Sequence, residues 1–233
     1  MRKISNLVSL LSVSILLLTL NRKTNITQGL LQPFEFLRWQ DFHAMITIPL
    51  LITVVYTLLF VQITLRQSKI HNKFAYFLTS FAIGLFLYGV SSGNHEVTNY
   101  LHHRFCILDE TKICQIISFN DDNFSHLVFY ISSVILTVTL LLYESSQPER
   151  KALSKTQHWI ILVNAILIGF GIFINLAFEN LGVDPYAFGL LSFVSIILVW
   201  QKRKDLLFYP VIYYCALGYG GGTISSILYK LFI

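Results

Sequence analysis

The sequence predicts an all-α polytopic membrane protein, a bundle of about seven transmembrane helices, from its composition and its hydropathy pattern. Hydrophobic residues make up 55% of the 233 residues, and charged residues only 12%. A soluble domain carries about 25% charged residues, because its surface must be hydrated. Mean hydropathy is +0.63, and a spanning helix takes about 20 residues. The chain is therefore long enough for six or seven spans within a single membrane domain.

Seven apolar stretches divide the chain, and each is a candidate transmembrane helix. They cover approximately residues 5–20, 43–64, 74–94, 124–143, 159–178, 187–200 and 207–229. The first follows basic residues, as a signal sequence does, but it lacks a small-x-small cleavage site, which favours a retained helix. If it were cleaved or peripheral, six helices would remain. The sixth stretch is short for a span, and residues 95–123 form the longest predicted loop.

Basic residues mark every second loop and so predict the orientation. They cluster after the second, fourth and sixth stretches, as Arg66, Lys69 and Lys73, then Arg150, Lys151 and Lys155, then Lys202, Arg203 and Lys204. Because basic loops stay in the cytoplasm, we expect a cytoplasmic N-terminus, an extracytoplasmic C-terminus and an extracytoplasmic 95–123 loop. The same rule accounts for the net charge of +5. No basic stripe alternates with aromatic residues, so a nucleic-acid partner is not expected.

Two of the three cysteines lie in the predicted extracytoplasmic loop. Cys106 and Cys114 would meet an oxidising compartment there, which permits a disulfide. Two loop cysteines can equally stay free, so the disulfide is a hypothesis that mass spectrometry of alkylated, unreduced protein tests. Cys215 stands alone inside the last helix and has the character of a small packing residue.

Ionisable residues collect at one end of the predicted helices. Five of the seven histidines lie at this level: His43, His95, His102, His103 and His126. Ser91, His95, Asn99 and either His102 or His103 repeat at three or four residues, so they share one face if the third helix continues. Asp122 and His126 share a face of the fourth helix by the same spacing, whereas Asp121 fits an exposed N-terminal cap. Glu179 ends the fifth helix.

Imidazoles and carboxylates that converge from several helices favour zinc or another divalent metal. In this hypothesis the ligands are His95, His126 and one of His102, His103 or His43. Asp122 or Glu179 orients a ligand or acts as general base, and Ser91 or Asn94 donates a hydrogen bond to a developing oxyanion. In the alternative interpretation the histidines only form hydrogen bonds between helices or lie in a solvated loop.

One motif resembles a known group of membrane enzymes. Ser91-x-x-x-His95, with an aspartate opening the next helix, resembles part of the pattern in the alkaline-ceramidase and adiponectin-receptor group of seven-helix zinc hydrolases. The resemblance covers about 35 of the 233 residues and would imply a zinc hydrolase. That group also has two late histidines in an H-x-x-x-H arrangement, and no histidine follows His158 here. The activity is therefore not carried over, and no family is assigned.

Three functions follow from the one-sided polar cluster. The first is a metal-dependent enzyme, such as a hydrolase, that acts on a lipid or lipid-linked substrate near the extracytoplasmic face. The second is an assembly factor or subunit whose 95–123 loop binds another membrane protein. The third is a cation- or proton-coupled transporter or channel, which would need polar groups that continue toward the basic side. In each of them the lipid bilayer is the expected environment.

Overall fold

The computed structural model describes residues 2–31, 37–65, 73–106, 111–147, 152–178 and 182–232. Its seven long helices are α1 (Arg2–Lys23), α2 (Trp39–Thr64), α3 (Phe74–Phe105), α4 (Lys112–Ser145), α5 (Lys155–Phe178), α6 (Asp184–Gln201) and α7 (Pro210–Phe232). All seven are long and apolar enough to cross a membrane. This confirms the predicted all-α polytopic bundle.

The first helix is packed into the bundle. Helix α1 contacts α2 and α5, and its Ser9 hydroxyl accepts a hydrogen bond from the Asn164 amide of α5 at 2.9 Å. Val8 is 1% exposed. In the structure α1 is therefore an integral member of the bundle and not a peripheral segment.

Helices α5 and α7 approach each other through glycines. A Cβ atom on Gly222 would lie 2.6 Å from the carbonyl oxygen of Gly169, and one on Gly169 would lie 3.1 Å from that of Gly218. Only glycine allows backbones to come this close. Small residues at such contacts let membrane helices gain van der Waals packing where lipid offers no hydrophobic driving force.

The two ends of the bundle differ in charge. We call the end that carries the five clustered histidines the histidine end, and the end that carries Lys73, Lys155 and residues 202–204 the lysine end. Helices α3 and α4 have 32 and 34 residues, so each is about 50 Å long at 1.5 Å per residue. A hydrocarbon core of about 30 Å leaves both helices projecting beyond it.

The projection of α3 and α4 corrects the predicted 95–123 loop. Helix α3 continues to Phe105 and α4 begins at Lys112, so most of this segment is helical. The segment contains no Gly or Pro to break a helix. Its polar residues mark where the lipid ends and not where the helix ends. Cys106 and Cys114 are joined in a disulfide, as hypothesised, and it closes the α3–α4 hairpin.

Three π-helical turns interrupt the long helices of the described chain. They lie at His43–Thr47 in α2, Phe119–Phe124 in α4 and Ala216–Gly220 in α7. Such a turn inserts one extra residue into a helix and recurs at functional sites. The first two lie at the histidine end, where both contact α3.

At the lysine end, a buried carboxylate caps the last helix. Glu144 is 0% exposed, and its Oε2 accepts the N–H groups of Val211 at 2.9 Å and Ile212 at 2.8 Å. These are first-turn donors of α7, which have no partner inside their own helix. The positive end of the helix dipole also favours a negative charge there. Sequence analysis did not single out Glu144.

Candidate functional site

The centre of the candidate site is Asp121, which α4 carries and α3 surrounds. Its side chain is 2% exposed. The Nδ1 atom of His95 lies 2.9 Å from Oδ1 of Asp121, and Nδ1 of His102 lies 3.3 Å from Oδ2. The Asn99 amide donates to the same Oδ2 at 3.3 Å. Three residues on one stripe of α3 therefore converge on one buried carboxylate.

The π-helical turn decides which aspartate faces α3. The N–H of Ser125 bonds to the carbonyl oxygen of Asn120, five residues back, in place of the usual four. The extra residue rotates the start of α4, so Asp121 points into the bundle while Asp122 is exposed. The interpretation of Asp121 as an exposed N-terminal cap was therefore wrong, because it assumed that the fourth helix begins there, whereas α4 begins at Lys112.

A side-chain amide on α3 braces this turn. Asn94 donates to the Ser125 hydroxyl at 2.7 Å and to the Asn120 carbonyl oxygen at 3.4 Å. The Ser125 hydroxyl in turn donates to the Asn120 carbonyl oxygen. The loosened backbone of the turn is thus held against α3, which fixes the direction of the Asp121 side chain.

The other predicted site residues have different environments. His126 packs against His95, with ring centroids 4.9 Å apart. His103 is exposed and contacts the Asn99 carbonyl oxygen at 3.0 Å. His43 contacts Thr47 at 3.2 Å and stacks on Trp39. Ser91 does not join the cluster, because its hydroxyl donates to the Tyr88 carbonyl oxygen of its own helix at 2.9 Å. Glu179 lies outside the described residues.

The ligand types and spacings in the cluster fit a divalent metal. His102, Asp121 and Asp122 each offer one ligand atom, and these atoms lie within 4.8 Å of one another. The 3.3 Å between His102 Nδ1 and Asp121 Oδ2 matches the roughly 3.4 Å between two ligands with bonds of about 2.0–2.2 Å at a tetrahedral angle. Mixed nitrogen and carboxylate donors suit zinc, iron or manganese.

A polar cavity adjoins the cluster along α3. Its volume is about 650 Å³, and its lining comes from residues 28–30 and 38–44 and from the last turns of α3. Asn99 lines it and also donates to Asp121. The cavity therefore touches the surroundings of the buried carboxylate through one shared side chain.

Sequence reasoning missed the central residue of the site and one wall of the cavity. Asp121 was passed over in favour of Asp122, whose spacing to His126 matched a regular helix. Glu96 received no role, although its side chain is buried and lines the cavity. Its spacing of four to Tyr100 and seven to His103 was an available signal, since these residues share a second stripe of α3.

Comparisons of the chain with protein-family models, with curated proteins and with solved structures give no match.

Proposed function

We propose that this protein is a membrane-embedded, metal-dependent enzyme, of the hydrolase type, that acts on a lipid or lipid-linked substrate at the histidine end. The observation that carries the proposal is the buried carboxylate of Asp121, held between the imidazoles of His95 and His102. Ionisable groups in a membrane helix cost several kcal/mol unless they are paired or ligated, and they are functional candidates by default.

The residues of the cluster have distinct roles in this proposal. His102, Asp121 and Asp122 hold the metal, and His95 orients Asp121 by contacting its second oxygen, as outer-shell partners do in metal sites. A divalent ion bound there would polarise a carbonyl or phosphoryl oxygen and activate water. His126, which packs on His95, is placed to accept or deliver a proton.

The depth of the site supports a lipid or lipid-linked substrate. His95 is 21 residues beyond the first residue of α3, Phe74, which is about 32 Å along the helix axis. The hydrocarbon core is about 30 Å thick. If α3 enters the membrane near Phe74, the cluster lies at the level of lipid headgroups on the opposite side.

Metal analysis tests the proposal directly. We expect purified wild-type protein to carry about one equivalent of zinc, manganese or iron by mass spectrometry, and His102→Ala and Asp121→Asn to lose it. His158→Ala is the matched control, because His158 stacks on Tyr213 away from the cluster. Wild-type protein that binds none of these metals, even after incubation with each, would refute the metal-dependent mechanism.

The disulfide supports the predicted orientation, in which the histidine end is extracytoplasmic. The Cys106–Cys114 bond closes the hairpin that carries His102 and Asp121, and disulfides persist in oxidising compartments. Single cysteines introduced at Asn123 and Lys204 test the orientation in cells. We expect a membrane-impermeant maleimide to label the first and not the second.

A coupled transporter is the second candidate, because hydroxyl groups meet in the centre of the bundle. The Thr137 hydroxyl lies close to the hydroxyl groups of Tyr56 and Tyr219, and the Ser12 hydroxyl lies close to that of Tyr214. Thr137 is on α4 between Asp121 and Glu144, so these polar groups extend from the histidine end toward the lysine end. Proteoliposomes distinguish the candidates: a transporter moves cations or protons across the bilayer, and the proposed enzyme does not.

A further inference from the structure

The cavity beside the cluster of His102 and Asp121 is lined by both positive and negative side chains. Arg38 immediately precedes α2, Asp41 lies in the first turn of α2, and Glu96 and Arg104 come from α3. Its volume of about 650 Å³ lies within the range of roughly 300–1,000 Å³ that small-molecule sites occupy. It is therefore large enough for a polar headgroup.

The carboxylates of this cavity are held in place deep in its walls. Asp41 and Glu96 are each 9% exposed. Arg38 binds Asp41 through two contacts of 3.2 Å, and its backbone N–H donates to the same carboxylate at 2.9 Å. The Asp41 carboxylate is thus held by pairing and hydrogen bonding with Arg38.

An aromatic ring and a second guanidinium form the opposite wall. The Arg104 guanidinium lies 5.4 Å from the ring centroid of Tyr100. Arg104 is exposed, whereas Glu96 is two helical turns deeper along α3. A ligand that spans the cavity therefore meets a positive group near the surface and a negative group further in.

We infer that this cavity binds a zwitterionic phosphoalkylammonium group, with the phosphate against Arg104 and Arg38 and the ammonium against Glu96. Arginine is the preferred partner of phosphate, and an ammonium is attracted by a carboxylate. A purely anionic group would meet Glu96 and Asp41, and a purely cationic group would meet the two arginines. The inference rests on the proposed function, because it names the class of substrate.

The position of Asn99 connects this headgroup to the proposed chemistry. Asn99 lines the cavity and holds Oδ2 of Asp121. A phosphoalkylammonium group in the cavity would therefore place the rest of a lipid, or of a soluble phosphodiester, next to the His102 and Asp121 cluster.

Binding measurements on the purified full-length chain in a non-ionic detergent test the inference. The probes are a short-chain phosphatidylcholine, free glycerophosphocholine and a short-chain phosphatidylglycerol, each titrated by calorimetry. We expect the first to bind and its Kd to rise about tenfold or more in Arg104→Gln and in Glu96→Gln, because each removes a hydrogen bond to a charged group. Arg203→Gln, at the lysine end, is the matched control and should leave Kd unchanged.

The probes separate the two sources of this chemistry. Binding of glycerophosphocholine with the same sensitivity to both variants identifies a soluble group, and binding of the lipid alone identifies a membrane lipid; both support the inference. It is overturned if neither zwitterionic probe binds, if phosphatidylglycerol binds equally well, or if the variants bind as wild type. If Glu96→Gln fails to fold, the Kd of Arg104→Gln still tests the inference, because Arg104 is exposed.

A further variant separates this inference from the proposed function. Asp121→Asn removes a proposed metal ligand but keeps an oxygen that can accept from Asn99. It should leave the Kd for the zwitterionic probe within about twofold, because Asp121 does not line the cavity. A protein that binds the probe but no metal refutes the metal mechanism and keeps the headgroup site. A protein that binds metal but no zwitterionic probe refutes the headgroup site and leaves the metal mechanism standing.

Discussion

Helix α4 carries two buried carboxylates, and their surroundings differ. Asp121, near the histidine end of α4, is 1% exposed, and Glu144, near the lysine end, is 0% exposed. Glu144 accepts backbone N–H groups from the first turn of α7. Asp121 instead contacts two imidazoles and one amide side chain. Burial alone therefore does not distinguish a structural carboxylate from a candidate for chemistry.

The two carboxylates differ in the chemical groups that contact them. The backbone N–H groups that Glu144 accepts neither titrate nor bind metals, and these hydrogen bonds anchor the start of α7. Imidazoles change protonation and bind divalent ions. The surroundings of Asp121 could therefore admit a metal, which is why we propose a function for the histidine end and a stabilising role for Glu144 at the lysine end.

The largest effect should come from removing the structural carboxylate. Glu144→Ala leaves the N–H groups of Val211 and Ile212 without their acceptor inside the bundle, and we expect a loss of about 3 kcal/mol or more in stability. Thermal unfolding in detergent measures it. Glu144→Gln, which keeps one acceptor oxygen, should lose less. If Glu144→Ala were as stable as wild type, the contrast between the two carboxylates would fail.

Replacing the other carboxylate should change binding and not stability. Asp121→Asn keeps the shape of the side chain but removes a negative ligand, so we expect metal affinity to fall about 100-fold or more and stability to change by about 1 kcal/mol or less. Metal titration and thermal unfolding on the same sample measure both. Asp205→Asn, at the lysine end, is the control. A large stability loss with unchanged metal affinity would make Asp121 a second structural anchor.

The disulfide should stabilise the histidine end specifically. Replacing both Cys106 and Cys114 by serine should lower stability by about 2 kcal/mol, because the unfolded hairpin is no longer constrained. We also expect weaker metal binding, since the bond closes the hairpin between His102 and Asp121. Reductant should lower the unfolding temperature of wild type and leave that of the double variant unchanged. If reductant shifted both unfolding temperatures equally, the disulfide would not be the cause of the stabilisation.

The smallest effect should come from the brace on the π-helical turn. Asn94→Ala removes hydrogen bonds to Ser125 and Asn120, and we expect a loss of about 1 kcal/mol together with weaker metal binding. Asn123→Ala, on the exposed side of the same turn, should do neither. If Asn94→Ala left metal affinity unchanged, the direction of the Asp121 side chain would not depend on this brace.

Much of the architecture could be predicted because lipid imposes strict rules on sequence. Seven apolar stretches became seven long helices, and Cys106 and Cys114, placed in one short segment, form a disulfide. The stripe of His95, Asn99 and His102 was also predictable, because the third helix continues without interruption and a regular helix repeats at three or four residues.

The predictions failed where the helix is irregular or where the partner is distant in sequence. Asp121 was predicted to be an exposed cap although it is buried, because the π-helical turn that directs it toward α3 has no simple sequence signature. Glu144 was overlooked because its partners, Val211 and Ile212, are 67 and 68 residues away. Arg38 and Asp41, which line the same cavity as α3, were likewise overlooked because they are distant from α3 in sequence.

By itself, the sequence determined that this chain is an α-helical membrane bundle with its ionisable residues concentrated at one end, because hydropathy and charge act locally along the chain. Tertiary structure alone decided which carboxylate is surrounded by imidazoles and which caps a helix. The physical reason is that a buried charge must find donors, and those donors come from whichever helix packs against it.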